Sequence, residues 1–258
     1  MLILRDRRDH TEVLTLNRPE AANSLNPELM EQLGVALQEI LEDDDARVVV
    51  LTGAGERVFC AGMDLSALGD FNDKATAGAE PKPGADAMAS FMAGTYPKPM
   101  IAAVNGAAVG GGLELVMSCD LVVAAEHARF GLPEVKRGLF AAGGGTTLST
   151  RIPLALALEI GLTGRLIDAP KALETGLLNQ VVAPDELISS AIALAEEVAA
   201  NGPLAVQLTK ALLRGAVTQE PSAGRATPEQ MNRVFQSTDA REGAAAFMEK
   251  RPPNFTGH

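Results

Sequence analysis

Residues 105–120 read N-G-A-A-V-G-G-G-L-E-L-V-M-S-C-D, and the rest of the chain is best read outward from them. The five residues before them, M-I-A-A-V at 100–104, form an apolar run of strand length. Gly110, Gly111 and Gly112 then allow a tight turn and a close backbone approach to a ligand. Residues 113–118 have the composition of a helix start, which brings unpaired N–H groups and the positive end of the helix dipole. Such an end suits a phosphate or a developing oxyanion. Glu114 follows Gly111 by three residues and shares its helix face. A carboxylate there opposes phosphate binding and suits proton transfer, so the pattern favours acyl chemistry. The bland alternative is a glycine turn that only packs a strand on a helix. Neither G-x-x-x-x-G-K-[ST] nor G-x-G-x-x-G occurs in the chain, which removes the usual nucleotide fingerprints.

Composition narrows the classes further. A chain of 258 residues that is 47% hydrophobic can bury a sizeable core, and with 3% aromatics and no Trp that core is built of Ala, Leu, Val and Ile. The net charge of −11 repels nucleic acid and anionic lipid, so neither is an expected partner. Cys60 and Cys119 have no metal-ligand spacing, and His10, His127 and His258 are too few and scattered for a metal site, so no metal is expected. No apolar run is long enough to span a bilayer, and the N-terminus lacks a signal-peptide pattern; a cytoplasmic location is the expectation.

In chain order, residues 2–7 and 12–16 predict a hairpin, and 17–26 a polar turn region. Asn26 is a helix cap with Pro27 at the first position, and Leu29, Leu33, Ala36, Leu37, Ile40 and Leu41 give the helix an apolar stripe. Residues 47–52 predict a buried strand, and 53–65 a loop opening into a short helix. The strand–helix–strand–glycine-loop pattern recurs at 100–104 and 121–125, which implies an α/β core with crossover connections. Residues 69–87 lack periodicity and predict a surface loop. Beyond Pro153 the chain reads mainly as helices, at 154–161, 170–175, 185–200, 203–217 and 228–249. The division that follows is a core over 1–195 carrying the site and a helical region over 196–258 that serves packing or oligomerisation.

Two further segments complete the opening motif. C-A-G-M-D-L at 60–65 is a second glycine turn, in which Met63 offers another free N–H, and F-G-L-P-E-V at 130–135 places Glu134 twenty residues beyond Glu114. Spacing alone does not bring them together. Taken in order, however, N-R-P-E-A-A-N-S-L-N, A-G-M-D-L, N-G-A-A-V-G-G-G-L-E-L, L-P-E-V-K-R-G-L and L-T-G-R-L-I-D-A-P-K-A-L-E-T-G-L-L-N-Q-V-V resemble the crotonase (enoyl-CoA hydratase/isomerase) superfamily from end to end.

That resemblance implies a crotonase-like ββα spiral core with a C-terminal helical trimerisation region, assembled as a homo-trimer or a pair of trimers. It implies an oxyanion hole at the N–H groups of Met63 and Gly111, and two catalytic glutamates, Glu114 and Glu134, flanking a water. Glu114 would activate the water that attacks C3 of an enoyl thioester, and Glu134 would supply a proton to C2. Coenzyme A, as carrier of the substrate, would lie against Ala22, Ser24, Ala61, Asp64, Leu65 and Gly110, with Phe247 and Lys250 contributed by a neighbouring subunit; no other cofactor is implied. Two departures bear on the acyl group: Met63 stands where many hydratases carry Ala, and G-L-F-A-A-G-G-G-T at 138–146 replaces a P-G-A-G-G-T pattern, closer to carnitinyl-CoA dehydratase-like proteins. Isomerases commonly lack one of the two glutamates, so the pair favours hydration. A non-enzymatic, RNA-binding use of the same fold is opposed by the acidic balance.

Overall fold

A computed structural model describes residues 1–64, 82–137, 139–217, 229, 233 and 236–258. Strands β1 (Ile3–Arg8) and β2 (Thr11–Leu16) form the expected hairpin, antiparallel with Ile3 opposite Leu16, and Asp9 takes the left-handed conformation (φ 48°) in its turn. Helix α1 (Pro27–Glu42) starts as predicted: the Asn26 side chain accepts the Leu29 N–H at 2.8 Å, and Leu29, Leu33, Ala36, Leu37 and Ile40 are buried. Strand β3 (Val48–Gly53) is buried along its whole length, as a central parallel strand covered on both faces should be.

Two stretches depart from the sequence reading. Within 53–65, residues 58–60 form a short strand, β4 (Val58–Cys60), and Met63 makes an isolated parallel bridge to Leu25. The helix expected to open at 65, and Leu65 itself, lie outside the described residues, as does most of the loop expected at 69–87. Its end, Ala85–Ala87, belongs to α2 (Ala85–Met92), where Met88 and Phe91 bury an apolar face against α1.

Next come β5 (Met100–Val104), β6 (Ala107–Val109), α3 (Gly111–Ser118), β7 (Leu121–Ala125) and β8 (Arg129–Gly131). Beyond Pro153 lie α4 (Leu154–Thr163), β9 (Leu166–Asp168), α5 (Ala169–Glu174), β10 (Gln180–Val182), α6 (Leu187–Ala199), α7 (Pro203–Val217) and α8 (Thr238–Glu249). The region is thus not purely helical. Strands β9 and β10 have only three residues each, too few to show alternation, and they form because each finds an open sheet edge. The last helix begins at Thr238, after a turn at Gln236–Ser237 where Ser237 Oγ accepts the Ala240 N–H at 3.0 Å, so the helix expected from 228 is interrupted there.

The strands assemble into two mixed sheets. One has the order β1-β2-β3-β5-β7-β10, parallel from β2 onward, and the other β4-β6-β8-β9, with β8 and β9 antiparallel. Alternation sorts the large sheet's side chains. Leu14, Leu51, Ala102 and Val122 face α1, α3 and the second sheet. Val13, Val50, Ile101 and Val123 face α6, whose Ala191, Ala195 and Ala199 stripe lets it sit close. Helix α3 is thereby held between the sheets, with its N-terminus where β6 ends. Among the described residues no helix is long and apolar enough to cross a membrane.

Candidate active site

The site starts at the turn region 17–26. Ala22 and Asn23 are both left-handed (φ 52° and 53°), and the Asn23 amide ties the turn down by donating to the carbonyls of Ala54 and Val58 at 3.0 Å each. The turn then runs beside the second glycine loop: Ala61 N–H donates to Ala22 O (3.0 Å), Leu25 N–H to Gly62 O (2.8 Å) and Asp64 N–H to Leu25 O (3.0 Å). In that parallel pairing Met63, directly opposite Leu25, turns its own N–H the other way. Gly62 makes the bend with φ 88°, and a Cβ on it would lie 2.9 Å from the Gly111 nitrogen.

Gly111 opens α3, so its N–H has no intrahelical acceptor. An ideal Cβ on Gly111 would sit 3.5 Å from the Met63 nitrogen, which places the two N–H donors side by side. Neither makes a hydrogen bond among the described residues. Gly112 allows this approach: a Cβ there would fall 2.0 Å from the Cys60 carbonyl oxygen.

Glu114 projects from the first turn of α3 and is buried, with Oε1 accepting the Gly145 N–H at 2.8 Å. Glu134 lies in the first turn of the 3-10 helix Pro133–Arg137. Its Oε1 lies 3.2 Å from where a Gly110 Cβ would be, and its Oε2 is buried without a hydrogen-bond partner among the described residues. Burial pushes the Glu134 carboxyl above its ordinary value, and the charge of Glu114 adds to the shift. The fold therefore gathers Met63, Gly110, Gly111, Glu114 and Glu134 at one place. Two N–H groups without an acceptor among the described residues stand side by side, and near them are one pinned carboxylate and one carboxyl biased towards its protonated form.

Of the residues expected at a coenzyme, Ala22, Ser24, Ala61 and Asp64 lie together at the edge of this site. Leu65 and the Phe247 side chain lie outside what is described, and Lys250 is exposed at the end of α8 with φ 55°. Sequence reasoning missed two residues. Arg18 bonds Ser24 O at 2.7 Å and Asp64 Oδ2 at 3.1 Å through each terminal nitrogen, clamping the two loops together. Gly145 supplies the N–H that fixes Glu114; its only sequence signal is the glycine run at 143–145. Two surface grooves, of about 590 Å³ between β1 and α1 and about 430 Å³ between α1 and α2, are not lined by either glutamate.

The profile of the enoyl-CoA hydratase/isomerase family matches residues 7–258. The chain belongs to that family. Among curated proteins it is 40% identical to enoyl-CoA hydratase EchA19 of Mycobacterium tuberculosis, over 97% of this chain and 94% of the relative. It is 38% identical to carnitinyl-CoA dehydratase of Proteus mirabilis, over 95% of this chain and 94% of the relative. The crystal structure of an enoyl-CoA hydratase from Mycobacterium tuberculosis H37Rv superposes with a TM-score of 0.85 at 42% identity, covering 100% of this chain and 99% of the other. The two mixed sheets and C-terminal helices are thus the α/β crotonase fold, and a hydratase- or dehydratase-type reaction on an acyl-CoA is the activity its relatives support.

Proposed function

We propose that this crotonase is an enoyl-CoA hydratase, adding water syn and reversibly across the 2,3 double bond of a 2-enoyl-CoA to give a 3-hydroxyacyl-CoA. The observation that carries the reading is the pair Glu114 and Glu134 beside the adjacent N–H groups of Met63 and Gly111. Those N–H groups hold the thioester oxygen, and the negative charge that builds there in the transition state is worth about 10²–10³ in rate per donor. Glu114, with Oε1 tied to Gly145, takes a proton from water through its other oxygen as the water attacks C3. Glu134, whose carboxyl is pushed above its ordinary value by burial and then by its neighbour's charge, delivers a proton to C2. A coupled pair in which one carboxyl holds the proton the other lacks is what this division of labour needs.

The coenzyme lies along Ala22, Ser24, Ala61, Asp64, Leu65 and Gly110, on loops braced by Arg18. The carnitinyl-CoA dehydratase relative supports a second reading, dehydration of a larger or polar acyl group on the same residues. Residues 196–258 act in assembly, with the exposed Leu213 and Val217 on α7 and Leu154, Leu158 and Leu162 on α4 covered in a homo-trimer or pair of trimers. Phe247 and Lys250 then reach a neighbour's coenzyme. Mass measured in solution tests the assembly; a monomer removes it. The reaction is tested by loss of the conjugated enoyl-thioester absorbance with crotonyl-CoA and a longer 2-enoyl-CoA. Loss abolished by Glu114→Ala supports the reading, and no loss despite CoA-ester binding replaces it with another crotonase reaction.

A further inference from the structure

The C-terminal end of α3 is as densely bonded as its N-terminal end is open. Its last carbonyls have no intrahelical partners. Arg214, from α7, donates to Met117 O (3.4 Å), Ser118 O (3.0 Å) and Cys119 O (2.8 Å). Arg151 donates to Met117 O (3.1 Å) and Cys119 O (3.3 Å). Asp120 then gathers the cations: Oδ1 accepts from Arg214 Nε (3.1 Å) and Nη2 (2.9 Å), while Oδ2 lies 2.7 Å from Lys210 Nζ and accepts the Met100 N–H at 2.8 Å. Lys210 also donates to Lys98 O at 2.8 Å. Gly94, with φ 70°, leaves the room: a Cβ there would stand 2.8 Å from Arg214 Nη1.

We propose that Arg214, assisted by Arg151, is a positioning residue for the site, holding α3 along its axis so that Glu114 and the Gly111 N–H stay at the reacting distance. The helix has eight residues, so its two ends are only about 12 Å apart. A two-turn helix moves as a rod, and a slip at Cys119 reaches Gly111 undiminished. The guanidinium plane reads three carbonyls and a carboxylate at once, which a lysine cannot reproduce. The cations also offset the negative end of the helix dipole, but at this distance that acts less on the oxyanion than misplacement does: about 1 Å of misplacement can cost 10²-fold. Helix α7 thus serves the site of its own chain as well as any assembly.

This rests on the hydratase reading, and the experiment separates the two. Wild type, Arg214→Met, Arg214→Lys and Arg151→Gln are compared for kcat, KM and thermal midpoint with crotonyl-CoA. Each arginine variant is repeated on Glu114→Gln. The expected result is a fall in kcat of about 10- to 100-fold for Arg214→Met, with KM within about twofold because the loops at 18–25 and 61–64 are untouched. A partial fall is expected for Arg214→Lys, and on Glu114→Gln a clearly smaller further loss than on wild type, since the part that acts through Glu114 is already gone while the part through the Gly111 N–H remains. If Arg214→Met fails to fold, Arg151→Gln and Arg214→Lys carry the same split. A folded Arg214→Met with wild-type kcat, or losses that simply multiply with Glu114→Gln, overturns the inference. An inactive wild type instead overturns the hydratase reading.

Discussion

The two ends of α3 share one eight-residue helix and differ in one respect: whether their polar groups are satisfied. At the C-terminal end, Met117, Ser118 and Cys119 each have a guanidinium partner, and Asp120 is saturated. At the N-terminal end, the N–H groups of Met63 and Gly111 and the Glu134 Oε2 are without partners among the described residues. Buried polar groups are nearly always paired, so the buried, unpaired Glu134 Oε2 beside two free N–H donors is what a ligand site would leave. One end anchors, and the other is left ready for chemistry.

The largest effect that could break this contrast lies at the open end. Glu134→Gln, or Glu114→Gln, should lower kcat by about 10²–10⁴ with circular dichroism unchanged. A variant that keeps near wild-type turnover removes that glutamate from the mechanism. Next comes the packing that brings the two donors together. Gly112→Ala puts a Cβ 2.0 Å from the Cys60 carbonyl, and because the clash is with backbone it should cost roughly 1–3 kcal/mol in denaturant unfolding, with lower kcat. An unperturbed midpoint would mean that α3 and β4 are less tightly opposed than described.

A smaller effect sharpens the view of the open end as a site carrying a stability penalty. Glu134 has its carboxyl raised in the folded state, so its ionised form is disfavoured there relative to the unfolded chain. Stability is therefore lost as pH rises from the ordinary value of 4.5 through the raised one. Glu134→Gln should melt slightly higher than wild type at pH 8, and the difference should vanish below about pH 4.5. A variant that melts lower at pH 8 would contradict the assignment. The smallest effect is the control: Lys171→Ala breaks an exposed pair with Glu174 on α5 and should leave kcat unchanged and stability within about 0.5 kcal/mol.

The sequence was most informative where local physics dictates structure. Asn26 and Pro27 announce α1, and the apolar runs at 100–104 and 121–125 are β5 and β7. The glycines at 110–112 mark the start of α3. Three-residue strands were not legible, because β4, β6, β8, β9 and β10 depend on a neighbouring edge rather than on a pattern of their own. Within the loop read after Gly53, the strand at 58–60 and the bridge of Met63 to Leu25 arise from pairing with neighbouring segments, since the N–H of Leu25 meets Gly62 and that of Asp64 meets Leu25. Glu114 and its glycine loop could be singled out locally, whereas Glu134 entered only through the family resemblance, since its closeness to Gly110 is a tertiary fact. Arg18, Gly145 and the arginines that meet the end of α3, Arg151 and Arg214, act through backbone carbonyls or N–H groups, which no residue pattern reports.

The most direct test of the central claim is to run the hydration of crotonyl-CoA in deuterium oxide and read C2 of the product by NMR. With Glu114 and Glu134 working together on one face of the double bond, a single deuterium should appear at C2 on the same face as the new C3 hydroxyl, and Glu134→Gln should slow its arrival. Deuterium on the opposite face, or exchange into the substrate without water addition, would contradict the account.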